Sequence, residues 1–142
     1  MGLPVLVGSA LRNGFVMTPE LQPLFSVVHA SVKKFHAEQL FAALNVIQEA
    51  GCVTRDVRPT NLMVSLDGKQ AYITDFGFAT KEGVLATYQG TLTTASNRVL
   101  EILAHDRQAL VGVTFADEKE SLVKVLPLSL LFPGVKDSFS ST

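Results

Sequence analysis

A chain of 142 residues suffices for one compact domain with a real core, and at 47% hydrophobic residues, with nine Phe and no Trp, it is not a disordered chain. A net charge of −1 with no basic excess leaves no nucleic-acid footprint. The single cysteine, Cys52, excludes an internal disulfide and a zinc cluster and fits a reducing compartment, cytoplasmic or nuclear.

The opening stretch Met1 to Ala10 is apolar and small, without the positive region of a secretory signal. Its Met-Gly start raises N-myristoylation, but Leu6 stands where Ser or Thr is required. No uncharged stretch is long enough to span a bilayer, so no membrane contact is expected. Phe15-Val16-Met17 reads as the end of a buried strand. Thr18 to Leu24, with Pro19 and Pro23, reads as a connector. A helix is expected around 24–32. A clearer one runs over 37–50, where Leu40, Phe41, Leu44, Val46 and Ile47 share one broad face and Gly51 supplies the stop.

The polar, proline-punctuated segment Arg55 to Asn61 is a loop. Leu62-Met63-Val64 and Ala71-Tyr72-Ile73 form a hairpin across the turn dipeptide Asp67-Gly68 and deliver Asp75-Phe76-Gly77. From Phe78 to Asn97 the residues are mostly Thr, Gly and Ala, which predicts one long structureless loop of the functional kind. Helices are expected over 98–104 and 117–126, the second opened by acidic residues that suit a helix N-terminus. Val123 to Pro133 is apolar but broken by Lys124 and Pro127 and reads as core, or as core that has lost its partner. Residues 137–142 form a flexible tail.

Asp56 and Asn61 stand five apart and Asp75-Phe76-Gly77 follows beyond one hairpin, which is the order and spacing of the protein-kinase signature. The chain resembles the eukaryotic protein kinase family from about Phe15 to Val125. The resemblance implies the lower, mostly helical lobe of a kinase: mainly α with a small β-hairpin (α+β), a partial domain over 1–136. It implies ATP and Mg²⁺ as ligands and a protein as substrate or partner. By resemblance Asp56 orients the substrate hydroxyl and accepts its proton, Arg58 stands where Lys is usual near the γ-phosphate, and Asn61 and Asp75 ligate Mg²⁺. Phosphoryl transfer needs such a carboxylate at the attacking hydroxyl and oxygen ligands for the metal. Met17 resembles the gatekeeper, and the Thr18 carbonyl and Glu20 N–H the adenine-binding hinge. Arg55 corresponds to the arginine that receives a phosphorylated loop residue, with Thr87 and Tyr88 as candidates.

Several positions depart from the pattern. Thr54 replaces the histidine before Arg55. Ser96-Asn97-Arg98 replaces Ala-Pro-Glu, so Arg98 reverses the charge of a buried glutamate and the usual ion pair is not expected. The aspartate of the helix that anchors the catalytic loop appears as Glu118, or as Asp117 by a shift of one residue. No G-x-G-x-x-G and no Val-Ala-Ile-Lys lies upstream of Asp56, so the upper lobe is expected to be absent. Such a half-domain exposes core and calls for a complementing chain or self-association. Cys52 and Met17 read as core residues, and His29, His36 and His105 show no ligand spacing.

Three functions compete. The first is a phosphotransferase passing the ATP γ-phosphate to protein Ser or Thr. The second is a non-catalytic pseudokinase or effector module, with the Thr-Pro hinge, Arg58 and Glu120-Ser121-Leu122 resembling divergent fungal and crinkler-type effector kinases and leaving a secreted effector open. The third is a small-molecule phosphotransferase of the aminoglycoside type, which Arg55 and the full Asp-Phe-Gly oppose.

Overall fold

The computed structural model describes residues 5–11, 14–18, 20–25 and 32–127. The helix expected over 24–32 falls largely outside them, as do the tail 137–142 and the end of the apolar run 123–133. Two strands, β1 (Val5–Leu11) and β2 (Gly14–Thr18), pair antiparallel with Val5 opposite Thr18. A third strand, β3 (Leu21–Pro23), corrects the reading of this stretch as a connector. It lies on the edge of a three-stranded sheet, where Pro23 ends the strand and its missing N–H leaves no central ladder bond unmade.

Helix α1 (Lys34–Glu49) begins three residues before the predicted start. Its first turn is closed by the Lys33 N–H donating to Nδ1 of His36 at 3.0 Å. That leaves the His36 Nε2–H to donate to the Gly68 carbonyl at 2.7 Å. One turn on, Gln39 donates to the Lys69 carbonyl and accepts from the Ala71 N–H. These two side chains fasten α1 across the hairpin of β5 (Leu62–Ser65) and β6 (Ala71–Ile73), which forms in the expected register, Leu62 opposite Ile73. Between α1 and the hairpin lie a short strand β4 (Cys52–Val53) and a 3₁₀ turn (Pro59–Asn61). Gly51, with φ of 78°, turns the chain out of α1.

The segment expected to be structureless is not. Strand β7 (Thr80–Lys81) pairs with β4, and β8 (Leu85–Thr87) pairs with β9 (Leu110–Gly112). A 3₁₀ turn (Leu92–Thr94) precedes α2 (Asn97–His105), and α3 (Phe115–Val125) follows β9. Strands of two or three residues are too short to show a period of two, and their partners lie far along the chain. The described residues therefore hold three helices and several small sheets, a mixed α+β arrangement with more strand than the single hairpin expected.

The apolar residues divide into two cores. In the larger, Leu40, Leu44 and Ile47 of α1 pack with Leu62, Val64 and Ile73 of the hairpin, Leu122 of α3 and Leu126 just past its end. In the smaller, Val53 packs with Ala95, Val99, Val111 and Val113. The loop between β4 and the first 3₁₀ turn starts at Val53 in the small core and roots Val57 in the large one. It is held at both ends.

Gly112 lies so close to Gly83 that an added Cβ would meet the Gly83 carbonyl oxygen at 2.6 Å. Backbone against backbone cannot yield as a side-chain tip can. Gly112→Ala is expected to lower stability by about 1–3 kcal/mol, the usual cost of overpacking. Thermal and urea melts of the two proteins check this; equal midpoints would show that the approach of β9 to Gly83 accepts the methyl group.

Candidate catalytic loop

Thr54 to Val57 and Asn61 are buried, although they include the most polar stretch of the interior. The cause is Glu118, in the first turn of α3. Its Oε1 accepts the Thr54 backbone N–H, and its Oε2 accepts the Thr54 hydroxyl and the Arg55 backbone N–H, each at 3.2 Å. Burial pushes the Glu118 carboxyl up, while those hydrogen bonds and the charge of Arg55 oppose it. The geometry thus assigns the anchoring contacts to Glu118 and not to Asp117. Thr54 also accepts the Asp56 N–H at 3.2 Å, so its hydroxyl bridges the anchor and the next carboxylate-bearing residue.

Arg55 and Asp75 are the only non-glycine residues with positive φ among the described residues, at 65° and 67°. An L-residue in this region is uncommon and costs free energy that the surroundings must hold. At Arg55 the bend sends the guanidinium inward, where it is 3% exposed. It donates to four backbone carbonyls: Val84 and Val111 from Nη1, Ala86 and Thr87 from Nη2. Burial lowers its pKa, opposed by Tyr88 and Glu118.

Asp56 points the other way along the loop. Its Oδ2 accepts Asn61 Nδ2 at 2.9 Å, and the same amide nitrogen donates to the Asp56 carbonyl at 2.9 Å. Both bonds use Nδ2, so Oδ1 is the atom of Asn61 suited to a cation. Arg58 Nε lies 3.2 Å from Asp56 Oδ1, but out of line for a hydrogen bond. That carboxylate oxygen is buried and held by charge alone, able to accept a proton or a hydroxyl. Arg58 Nη1 reaches the Thr91 hydroxyl at 3.4 Å, and the Thr94 hydroxyl donates to the Val57 carbonyl at 3.0 Å. The turn at 92–94 is thereby stapled to the loop.

The backbone carbonyl of Asn61 accepts both the N–H and the hydroxyl of Thr74, at 2.9 and 3.0 Å. Asp75 follows directly, exposed, with Oδ1 accepting the Gly77 N–H at 3.2 Å. The structure therefore brings together Asp56, Arg58 and Asn61 and ties Asp75 to them through Thr74. Thr18 ends β2 and Glu20 is exposed before β3. Thr87 lies on β8 with its carbonyl on Arg55. Tyr88 follows, half-buried, its phenol pushed up to about 12 by burial and by the charges of Glu118 and Asp56.

Arg98 enters an ion pair: its fork meets Asp117 through Nε–Oδ1 at 3.2 Å and Nη2–Oδ2 at 2.5 Å. The pair is reversed in sense, with the cation on α2 and the anion on α3. Ser96 and the Thr114 N–H complete the set on Asp117, at 2.7 and 2.8 Å. Burial would raise the Asp117 carboxyl, but the hydrogen bonds from Arg98, Thr114 and Ser96 prevail and hold it down at about 2. The contacts of Thr74, Thr91 and Thr94 have no signature in the sequence, since an isolated threonine carries no signal of its distant partner.

No protein-family model matches the chain. Among curated proteins it is 42% identical over 74 residues to a "Probable serine/threonine-protein kinase" of Dictyostelium discoideum, covering 51% of this chain and 11% of that protein. It is 37% identical over 76 residues to a "cAMP-dependent protein kinase, catalytic subunit-like" of Caenorhabditis briggsae, covering 47% of this chain and 20% of the relative. It is 38% identical over 69 residues to a "Sperm motility kinase Tcr mutant form" of Mus musculus, covering 49% and 12%. About half of the chain is thus protein-kinase-like, and the match takes in a fifth or less of each relative's length.

Asp117→Asn is expected to cost about 1–3 kcal/mol at neutral pH, the range for hydrogen bonds to a charged group. A carboxyl lowered in the folded state stabilises above its ordinary value and loses that stabilisation as pH falls through the folded value. The gap between the two proteins is therefore full above pH 3.8 and closes towards pH 2. Urea melts across that range check it; a gap independent of pH would place the cost in packing and not in charge.

Proposed function

We propose that this chain carries the catalytic core of a protein-kinase-like phosphotransferase that passes the γ-phosphate of ATP to a protein Ser or Thr hydroxyl. The observation that carries the reading is the double use of Asn61. Its side chain orients the buried carboxylate of Asp56, and its carbonyl holds Thr74 and so Asp75. Two acids and an amide oxygen from distant positions are thereby tied into one network. The relatives' names support the reaction class.

The donor set fits Mg²⁺, which takes oxygen ligands: Asn61 through Oδ1 and the exposed Asp75 carboxylate would hold it. Bound there, the metal supplies charge neutralisation on the phosphates. In this reading Asp56 Oδ1 accepts the proton of the attacking hydroxyl, and Arg58, already against Asp56, reaches towards the transferred phosphate with a fork suited to its oxygens. Thr18 and Glu20 would contribute backbone groups to the adenine.

A second reading, a non-catalytic pseudokinase or effector module, is favoured by the side chains flanking Asp75. Phe76 and Phe78 are 39% and 40% exposed, and an uncovered aromatic pair is the kind of surface that a partner covers.

A thermal-shift titration with ATP and Mg²⁺ separates the two. A working site raises the melting temperature by about 2–4 °C for each kcal/mol of ligand stabilisation, and Asp75→Ala abolishes the rise. A cooperative transition that Mg²⁺-ATP does not move would remove the nucleotide site and leave the binding module.

A further inference from the structure

The Asp67-Gly68 dipeptide that turns the β5–β6 hairpin is open to a main-chain rearrangement that needs only water. Glycine has no side chain to hinder its own nitrogen, and at Gly68, with φ of 75°, even an added Cβ would meet nothing within 4 Å. The Gly68 nitrogen can close on Asp67 Cγ. The N–Cγ bond forms, the Cγ–OH bond of the protonated carboxyl breaks, and the hydroxyl leaves with the amide proton as water. Water then adds at the Asp67 α-carbonyl carbon of the succinimide, and the C–N bond there breaks. The product is an isoaspartyl residue of unchanged mass, with its main chain routed through Cβ and one carbon longer.

The folded turn opposes each part of this step. The Gly68 N–H, which must give up its proton, donates to the Ser65 carbonyl at 2.8 Å. Asp67 Oδ1 accepts the Ser65 hydroxyl at 2.6 Å and the Lys69 N–H at 3.0 Å. Those bonds hold the Asp67 carboxyl below the usual carboxylate value, and an ionised carboxylate has no hydroxyl to lose. The main chain is also gripped from outside. Gln22 Nε2 of β3 donates to the Ser65 and Leu66 carbonyls at 3.2 and 3.3 Å. From α1, His36 Nε2 meets the Gly68 carbonyl at 2.7 Å and Gln39 Nε2 the Lys69 carbonyl at 2.9 Å. Asp67 is therefore exposed to solvent on a backbone that is held almost carbonyl by carbonyl.

We infer that Asp67-Gly68 is a latent isomerisation site, shut while Gln22, His36 and Gln39 hold the turn and reached only when the turn opens away from them. Once formed, isoaspartate makes the opening permanent. The longer main chain does not return both the Gly68 carbonyl to His36 and the Lys69 carbonyl to Gln39, so α1 loses its fastening to the hairpin. Strand β6 ends two residues before Asp75, which places the lesion on the element that delivers that carboxylate. The chemistry is independent of phosphotransfer and of any ligand.

The test follows the tryptic peptide Asp56–Lys69 by liquid chromatography and mass spectrometry as the protein ages at neutral pH. A second peak of unchanged mass, assigned to position 67 by electron-transfer fragmentation, reports the isomer. The folded protein is expected to react at least about tenfold more slowly than the capped peptide Ser65–Gln70, the protection that a local opening gives. Gln39→Leu, which keeps a good helix former on α1, is expected to speed the reaction about fivefold, the scale of a lost hydrogen bond. Gln22→Leu does the same from β3, and serves alone if the other variant no longer melts cooperatively. Gly112→Ala, which weakens the fold elsewhere, leaves the rate unchanged. Isomerisation as fast as in the peptide, or a rate that neither glutamine substitution raises, would overturn the inference. So would equal acceleration by Gly112→Ala, since global unfolding and not the turn would then gate the reaction.

Discussion

The carboxylate of Glu118 is the contact on which the loop depends. A carboxyl group this deep is costly unless its lone pairs are met. Here they are met by the loop itself, through two backbone N–H groups and the Thr54 hydroxyl, with the Arg55 guanidinium close by. The requirement works in both directions. Glu118 is buried only because the loop satisfies it, and the loop takes its turn at Arg55 because its N–H groups have this partner. Removing the carboxylate would orphan donors in the interior as well as empty space.

From that turn the rest follows by exclusion. With φ positive at Arg55, its side chain goes inward and its neighbour's carboxylate goes to the other side. Arg55 then joins segments that no local pattern would join, since one guanidinium takes carbonyls from Val84, Ala86, Thr87 and Val111. The planar fork of arginine suits this; lysine, with one donor centre, would hold fewer of these carbonyls. The strand pair β8–β9 is thus ordered by an internal cation, and a phosphate on Thr87 or Tyr88 would reach Arg55 only by displacing carbonyls already bound to it.

The Arg98–Asp117 pair shows that the position of a charge matters less than the presence of its opposite. Arg98 is not left alone, because an aspartate in the first turn of α3 lies within reach of the arginine fork. The same aspartate closes the helix start with Thr114 and takes the Ser96 hydroxyl. One side chain therefore caps α3, joins α2 to α3, and stands next in sequence to the carboxylate that anchors the loop.

The sequence by itself determined the three helices of the described residues, the hairpin and the order of the two acidic motifs. Each rests on a local signal: the apolar face over Leu40, Leu44 and Ile47, the Asp67-Gly68 turn, the five-residue spacing of Asp56 and Asn61. Gly51 marked the end of α1 because an αL turn wants glycine. Tertiary structure alone decided the short strands at 80–81, 85–87 and 110–112, the inward course of Arg55, the reversed ion pair at Arg98, and the choice of Glu118 over Asp117 as anchor. The physical reason is common to all four. Their partners lie 19 to 64 positions away in the chain, and a hydrogen bond closed across such a distance leaves no periodicity or turn dipeptide at either end.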